Sequence, residues 1–519
     1  MPTPIQFFTG SDYALSLPMI LLSLFGLGVL VIDLMLPEQW KRWNAITAMI
    51  GLGFSAAALL RIQMGHYADG KPLVGSFAFL ARAGNQIVGS VLLDGFAVYF
   101  FYLFLLGAAI AILMSVRYLE IEREHHGEFY ALILFSVVGM MCMASGYDVV
   151  LLFIGLELMA ISTYVLVGFL RRDRRSNEAA LKYLLLGAFS SGIFAYGLSL
   201  LYGLSGSTNL GVIAQALERQ VGNNPRDPVV IVALITTATG LLFKIAAVPF
   251  HQWAPDAYEG APTSVTGYMS VAVKAAGWAM LLRIFIWGLY PLRSLYVPLL
   301  VFVAVATMIG GNFAALTQNN LKRLLAYSSI SHVGYMLLGL VASDNIANKT
   351  GIQGILVYLL VYTFMNLGAF AVITSLRRRE IIGDEIDDIA GLWTKAPTEA
   401  MLMMVFLLSL AGIPPLAGFW GKYFIFLSLI QTQHYVLATV AVLFAVLALY
   451  YYMRIVNAMF MRPATDTEPV SITPGMSLAL AVTAVGTVFI GIFPNYFIDA
   501  AGRAVGMAQA GGSLLGFLR

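Results

Sequence analysis

Most of this 519-residue sequence is a succession of apolar stretches, each long enough to cross a lipid bilayer as a helix and each ended by a short polar turn. At about twenty residues per crossing there are about fourteen spans, roughly 15–36, 43–64, 92–116, 128–146, 148–170, 179–203, 229–258, 263–288, 295–316, 322–342, 350–376, 398–431, 434–461 and 474–495. Inside hydrocarbon every backbone N–H and C=O must be satisfied by the chain itself, so spans of this length fold as helices. The expected fold is an all-α membrane protein. Only 11% of residues are charged, and no polar region is large enough for a separate soluble domain. The first run, Leu15 to Leu36, has no basic region before it and reads as an anchor rather than a cleaved signal.

An even number of spans returns both termini to one side. The loops on the other side hold about fifteen Lys and Arg, including Arg171, Arg172, Arg174, Arg175 and Arg377 to Arg379; the terminal side holds about eight, including Lys71, Arg82 and Lys349. Basic loops remain cytoplasmic, so both termini are expected outside.

Several function classes drop out. A net charge of +3, dispersed along the chain, gives no nucleic-acid footprint. A single cysteine, Cys142, excludes an internal disulfide and a thiolate-ligated iron–sulfur cluster within the chain. No Walker phosphate loop is present, and Gly51-Leu-Gly53 lies within a span, where small residues serve helix packing. His125 and His126, among Glu120, Glu122, Glu124 and Glu128, read as a solvated interfacial turn because the repeated spacing of a metal site is missing.

Against this background, Glu157, Lys182, Lys244, Lys274 and Lys422 stand inside apolar runs. A charge at mid-bilayer costs roughly 2.5–3.5 kcal/mol on insertion scales, so it persists where a partner or a function holds it. Spans seven and twelve are also broken by proline, at Pro249 and at Pro414-Pro415. Proline removes an N–H and leaves a carbonyl unpaired, and such groups must face protein or water. The two breaks lie five crossings apart and therefore run in opposite directions. This is the outline of two inverted five-helix repeats, spans four to eight and nine to thirteen, and paired interrupted helices point to a transport site. Prolines that only shape the bundle are the alternative.

Lys244 lies one turn before Pro249, where its ammonium would meet the negative end of the first half-helix. Glu157, roughly 15 Å from the nearer end of its helix, is a counter-charge for Lys244 or Lys182. Lys182 is near enough to its helix end to snorkel instead. Burial penalises the ammonium form and a nearby carboxylate favours it, so an amine held between the two can exchange its proton. His332, mid-span among Ser328, Ser329 and Ser331, is a candidate relay, and so is His251 after the first break; each reads equally well as a hydrogen-bonded packing histidine.

Five segments carry a resemblance: Glu157 with Leu-Met-Ala-Ile-Ser-Thr-Tyr following; Asn177 through Lys182-Tyr; Phe243-Lys244 with Pro249-Phe-His-Gln-Trp-Ala-Pro-Asp-Ala-Tyr258; Lys274-Ala-Ala; and Gly412-Ile-Pro-Pro-Leu-Ala-Gly-Phe-Trp-Gly-Lys422. Over residues 90 to 460 the chain resembles the antiporter-like membrane subunits of respiratory complex I, the proton-translocating NADH:quinone oxidoreductase. It is most similar to the N-type, because position 422 is lysine where M-type subunits have glutamate and because the chain ends soon after span fourteen, unlike the L-type. The resemblance implies that Glu157 and Lys244 form a modulating pair assisted by Lys182. It makes Lys274 the central proton carrier and Lys422 the terminal one, with His332 between them. It also implies no cofactor in this chain; NADH, FMN, iron–sulfur clusters and quinone would belong to partner subunits, M-type on one side and A-, J- and K-type on the other. A bacterial inner membrane follows, with spans one to three (1–127), two repeats (128–288 and 289–461) and a closing span and tail (462–519). A subunit of a multi-subunit sodium/proton antiporter and a structural membrane spacer are the competing readings.

Overall fold

The computed structural model describes residues 10–68, 75–76, 90–224, 226–343, 350–377, 383–464 and 472–510. Of the basic residues that orient the chain, Lys71, Arg82, Lys349, Arg378, Arg379 and Arg519 lie outside these segments. The described chain folds into α1 (Gly10–Met35), α2 (Arg42–Ala68), α3 (Gly95–Glu122), α4 (Gly127–Ser145), α5 (Val149–Val167), α6 (Arg174–Ser205), α7 (Leu210–Asn223), α8 (Pro228–Lys244), α9 (Trp253–Gly260) and α10 (Thr263–Tyr268). It continues through α11 (Lys274–Arg283), α12 (Arg293–Leu316), α13 (Leu321–Val341), α14 (Thr350–Leu376), α15 (Leu392–Lys395), α16 (Pro397–Ala411), α17 (Ala417–Gln431), α18 (Tyr435–Met461), α19 (Pro474–Ile492) and α20 (Asn495–Ala510).

Among the described residues, twelve helices are long and apolar enough to cross a membrane, α10 and α11 counting as one continuous rod. The shorter apolar helices α8 and α16 end at the two proline-containing segments. Several starts are fixed by side chains that accept the free N–H groups of the first turn: Asp148 for α5, Asp173 for α6, Asp227 for α8 and Asn320 for α13. Two helices fall in stretches expected to be non-spanning or tail, α7 and α20. Both are only partly apolar; α7 buries Leu210, Ile213 and Leu217 at helical spacing, and α20 buries Ala501, Ala504 and Val505 against α3 and α14. A search for continuous apolar runs passes over such one-sided helices.

The packing order recurs along the chain. α4 lies on α5 and α12 on α13; α6 runs beside α8 and α9, and α14 beside α16 and α17. Three spans sit at the centre: 94% of the span formed by α10 and α11, 94% of α13 and 89% of α14 is buried within the protein, against 22% for α1 and 28% for α18. The central three carry Lys274, His332 and their neighbours. The α10–α11 rod departs from regular geometry at two π turns, Met269–Val273 and Ile284–Gly288, and Lys274 is the first residue after the former. Such turns arise from backbone register and leave no mark in composition.

Candidate functional site

At the first break the chain leaves α8 at Lys244, takes a left-handed backbone at Ala246, and re-enters helix at Trp253. Three carbonyls at the end of α8 find donors: Leu241 and Leu242 accept from the backbone N–H groups of Ile245 and Ala247, and Phe243 accepts from Ala246 and from the Trp253 indole at 2.9 Å. The Lys244 ammonium therefore does not cap this half-helix. Its Nζ lies over the Tyr164 and Tyr183 rings, 5.7 and 5.8 Å from their centroids, with the chain 4% exposed. Tyr183 stacks on Trp253 at 4.5 Å, so the indole that closes the break also sets one wall around the amine. A small cleft opens beside it, lined by Leu156, Gly187, Ser190 and Phe194 among others.

Glu157 bears electrostatically on Lys244 but forms no ion pair with it, and its Oε1 is buried without a hydrogen-bond partner. Lys182 turns elsewhere. Its ammonium pairs with Glu178 on its own helix and with Asp256 on α9, both at 2.9 Å. Asp256 in turn accepts from Arg323, which also holds Glu259, each at 2.7 Å. Of the two counter-charge readings for Glu157, Lys244 is the near one, and Lys182 belongs to this half-exposed network.

Lys274 is 3% exposed. Its Nζ donates to Ser329 on α13 and lies 5.8 Å from the Tyr258 ring centroid. On the same helix as Ser329, His332 bonds Tyr358 through Nδ1 at 2.5 Å and Tyr452 through Nε2 at 3.1 Å, and Tyr452 meets Ser328 at 2.5 Å. Along α13 His332 lies between Ser329, the partner of Lys274, and Tyr335, whose ring faces Lys422, and both amines act on it electrostatically. His251 leaves Nδ1 buried and unpaired beside the first break, apart from this group.

The second break is built differently. α16 ends at Ala411, Gly412 takes φ 91°, and α17 starts at Ala417. The carbonyls left open here are taken by Lys422, whose Nζ donates to Leu410 at 3.1 Å and Ala411 at 2.6 Å while lying 5.5 Å from the Tyr335 ring centroid. The ammonium expected to cap a half-helix is thus Lys422 rather than Lys244: it reaches back from the second half, whereas Lys244 is the last residue of the first. A Cβ on Gly412 would stand 2.8 Å from Lys422 Cδ. Gly412→Ala is accordingly expected to cost about 1–2 kcal/mol through the left-handed backbone alone and to displace the ammonium from its carbonyls; thermal unfolding of the purified protein checks the first effect.

One buried pair escaped the sequence reading. Asp94 and Arg283, both 0% exposed, are joined by two hydrogen bonds of 2.7 and 2.5 Å; Arg283 Nε also donates to Ala144 O at 2.8 Å, and the guanidinium lies over both the Phe96 and Trp287 rings. Asp94 further caps α3 by accepting from Ala97 N. A signal was present: span three starts and span eight ends on the same side, so an Asp at one terminus and an Arg at the other can meet. At the α3–α4 turn, His125 bonds Tyr130 and His126 pairs with Glu124.

Comparison with known proteins adds four likenesses. The family described as NADH:quinone oxidoreductase/Mrp antiporter, TM, matches residues 146–448. A protein of Koribacter versatilis named NADH-quinone oxidoreductase subunit N 1 is 69% identical over 488 residues, covering 94% of each chain. A chain of respiratory complex I from Thermus thermophilus is 31% identical, with TM-score 0.75 over 93% of this chain and 99% of that one. A chain of the Mrp complex from Dietzia reaches TM-score 0.81 at 21% identity, covering 96% and 97%, a likeness of fold alone.

Proposed function

Because the chain belongs to the N subunits of NADH-quinone oxidoreductase, within the NADH:quinone oxidoreductase/Mrp antiporter membrane family, we propose that it converts the energy of quinone reduction elsewhere in complex I into proton movement along its buried amines. The observation that carries this reading is that Lys244, Lys274 and Lys422 are each at most 5% exposed and, among the described residues, none has a carboxylate within ion-pairing distance. An ion-paired lysine in low dielectric keeps its proton; these three are held by ring faces, a hydroxyl and carbonyls, from which a proton can leave.

In this reading Glu157 modulates Lys244 through space, so a change of charge at Glu157 loads or empties that amine. Lys182, tied to Asp256 and Arg323, assists from the rim. Lys274 takes the proton at the centre, His332 relays it between its two tyrosine partners, and Lys422 receives it at the end of α16. One elementary charge moved through 100 mV corresponds to about 2.3 kcal/mol, which one or two pKa units of change at such a site would match. The recurring packing supports two inverted repeats, residues 128–288 and 289–461, flanked by 1–127 and 462–519. The redox groups, NADH, FMN, iron–sulfur clusters and quinone, would sit in partner subunits, with an M-type neighbour on one side and A-, J- and K-types on the other. The setting would be a bacterial inner membrane with both termini in the periplasm.

Purification from native membranes followed by reconstitution tests this. The expected result is co-purification with quinone-reducing partners and NADH-driven acidification of proteoliposomes. Sodium-dependent proton exchange without any such partner would instead assign the chain to the antiporter branch.

A further inference from the structure

Each of the three buried amines lies over the face of a tyrosine: Lys244 over Tyr164 and Tyr183, Lys274 over Tyr258 and Lys422 over Tyr335, at 5.5 to 5.8 Å from the ring centroids. The hydroxyls of all four tyrosines are buried; that of Tyr164 has no hydrogen-bond partner, while those of Tyr183, Tyr258 and Tyr335 have Thr163, Ser329 and Asn312 within reach. What all four side chains offer the amines is the ring. Lys182 and Lys322, which do have carboxylate partners, lie over no tyrosine.

We propose that these tyrosine rings are the positioning counter-groups of the proton-carrying lysines, holding each ammonium by the negative face of the ring in place of a carboxylate. The physical distinction is one of grip. A desolvated ring face attracts a cation appreciably, but far less than a contacting carboxylate does. The amine is therefore stabilised enough to take a proton inside the membrane and loosely enough to give it up. The two walls around Lys244 fit its position beside the open cleft, where Glu157 acts from farther away. At Lys274 the surrounding ionisable groups are few: Tyr258 of α9, His332 of α13 with Tyr362 of α14 behind it, and Lys244 of α8, whose Cγ lies 3.5 Å from where a Cβ on Gly277 would stand. Among the described residues, α3 and α4 on the other side bring no carboxylate into an ion pair with Lys274. Ser329 supplies a neutral hydrogen bond. The ring of Tyr258 is then the group whose electrons most directly favour the charged form.

This inference rests on the proton-carrying role assigned to Lys274, and its test keeps the two apart. In the intact complex, reconstituted in proteoliposomes, the pH profile of proton translocation is measured for the parent, for Tyr258→Phe and for the same position carrying 3,4,5-trifluorophenylalanine. Phenylalanine keeps the ring face and, like the fluorinated analogue, lacks the hydroxyl, so it is the baseline against which draining the face is read. Trifluorination keeps the shape and drains the face, so the amine should load about one pH unit lower, a tenfold loss of the loaded form at fixed pH above the transition. The same pair at Tyr335 reports on Lys422. Superimposable phenylalanine and trifluorophenylalanine profiles overturn the proposal, as does a full shift already present in Tyr258→Phe, which would assign the effect to the hydroxyl. If Lys274→Ala pumps like the parent, the role of the lysine itself falls; if it does not pump while the fluorinated profile stays put, only the ring assignment falls.

Discussion

Replacing Lys274 with alanine is expected to lower coupled proton translocation by roughly 100-fold, the usual scale for removing a group that transfers a proton. The amine stands after a π turn on the central rod, with Ser329 as its hydrogen-bond partner and the Tyr258 ring beneath it. Alanine removes the amine that stands between Lys244 and His332. Assembly should survive, because the substitution removes a desolvated charge together with one neutral hydrogen bond and strands no opposite charge. Lys274→Arg should be nearly as defective for the opposite reason: guanidinium restores the cation but does not release a proton. The measurement is NADH-driven acidification of proteoliposomes, with subunit content checked in the same preparation. Pumping at the parent rate in Lys274→Ala would remove this residue from the path.

The largest effect on stability is expected at Arg283. Arg283→Met alone strands the Asp94 carboxylate, fully buried, with no cation, and breaking one side of such a pair costs about 3–5 kcal/mol. The subunit should be lost from the membrane or unfold at a clearly lower temperature in detergent. Arg283→Met combined with Asp94→Asn should recover most of that loss. A neutral amide can still accept from Ala97 N at the start of α3, and two buried charges have disappeared together. If the double variant is no more stable than the single one, the pair is not what fixes α11 to α3 and α4.

The sequence was most readable where the solvent dictates structure. Lipid requires uninterrupted apolar runs, and polar capping residues such as Asp148, Asp173 and Asn320 stop them, so expected and observed ends of α5, α6, α13 and α14 fall within a few residues of each other. The buried lysines and the two breaks were visible for the same reason: each is an exception to that composition. What composition does not encode was missed. Lys182 finds Asp256 74 residues away, through a helix that re-enters after a break, and no local spacing announces that contact. α7 and α20 bury one side only. The Asp94 and Arg283 pair lies near span ends, where a charge ordinarily reaches water and excites no suspicion.

The two proline breaks are tied shut by different chemistry. At the first, an indole that never ionises bonds the Phe243 carbonyl, so that joint keeps one geometry whatever the amines are doing. At the second, the knot is Lys422, the proposed proton carrier: when it is charged, Leu410 and Ala411 accept charge-assisted bonds, and when it is neutral those bonds are about half as strong. Occupancy by a proton is therefore written directly into the stiffness of the α16–α17 joint, and α19, whose Gly491 packs against Pro415 and Leu416, is placed to feel it.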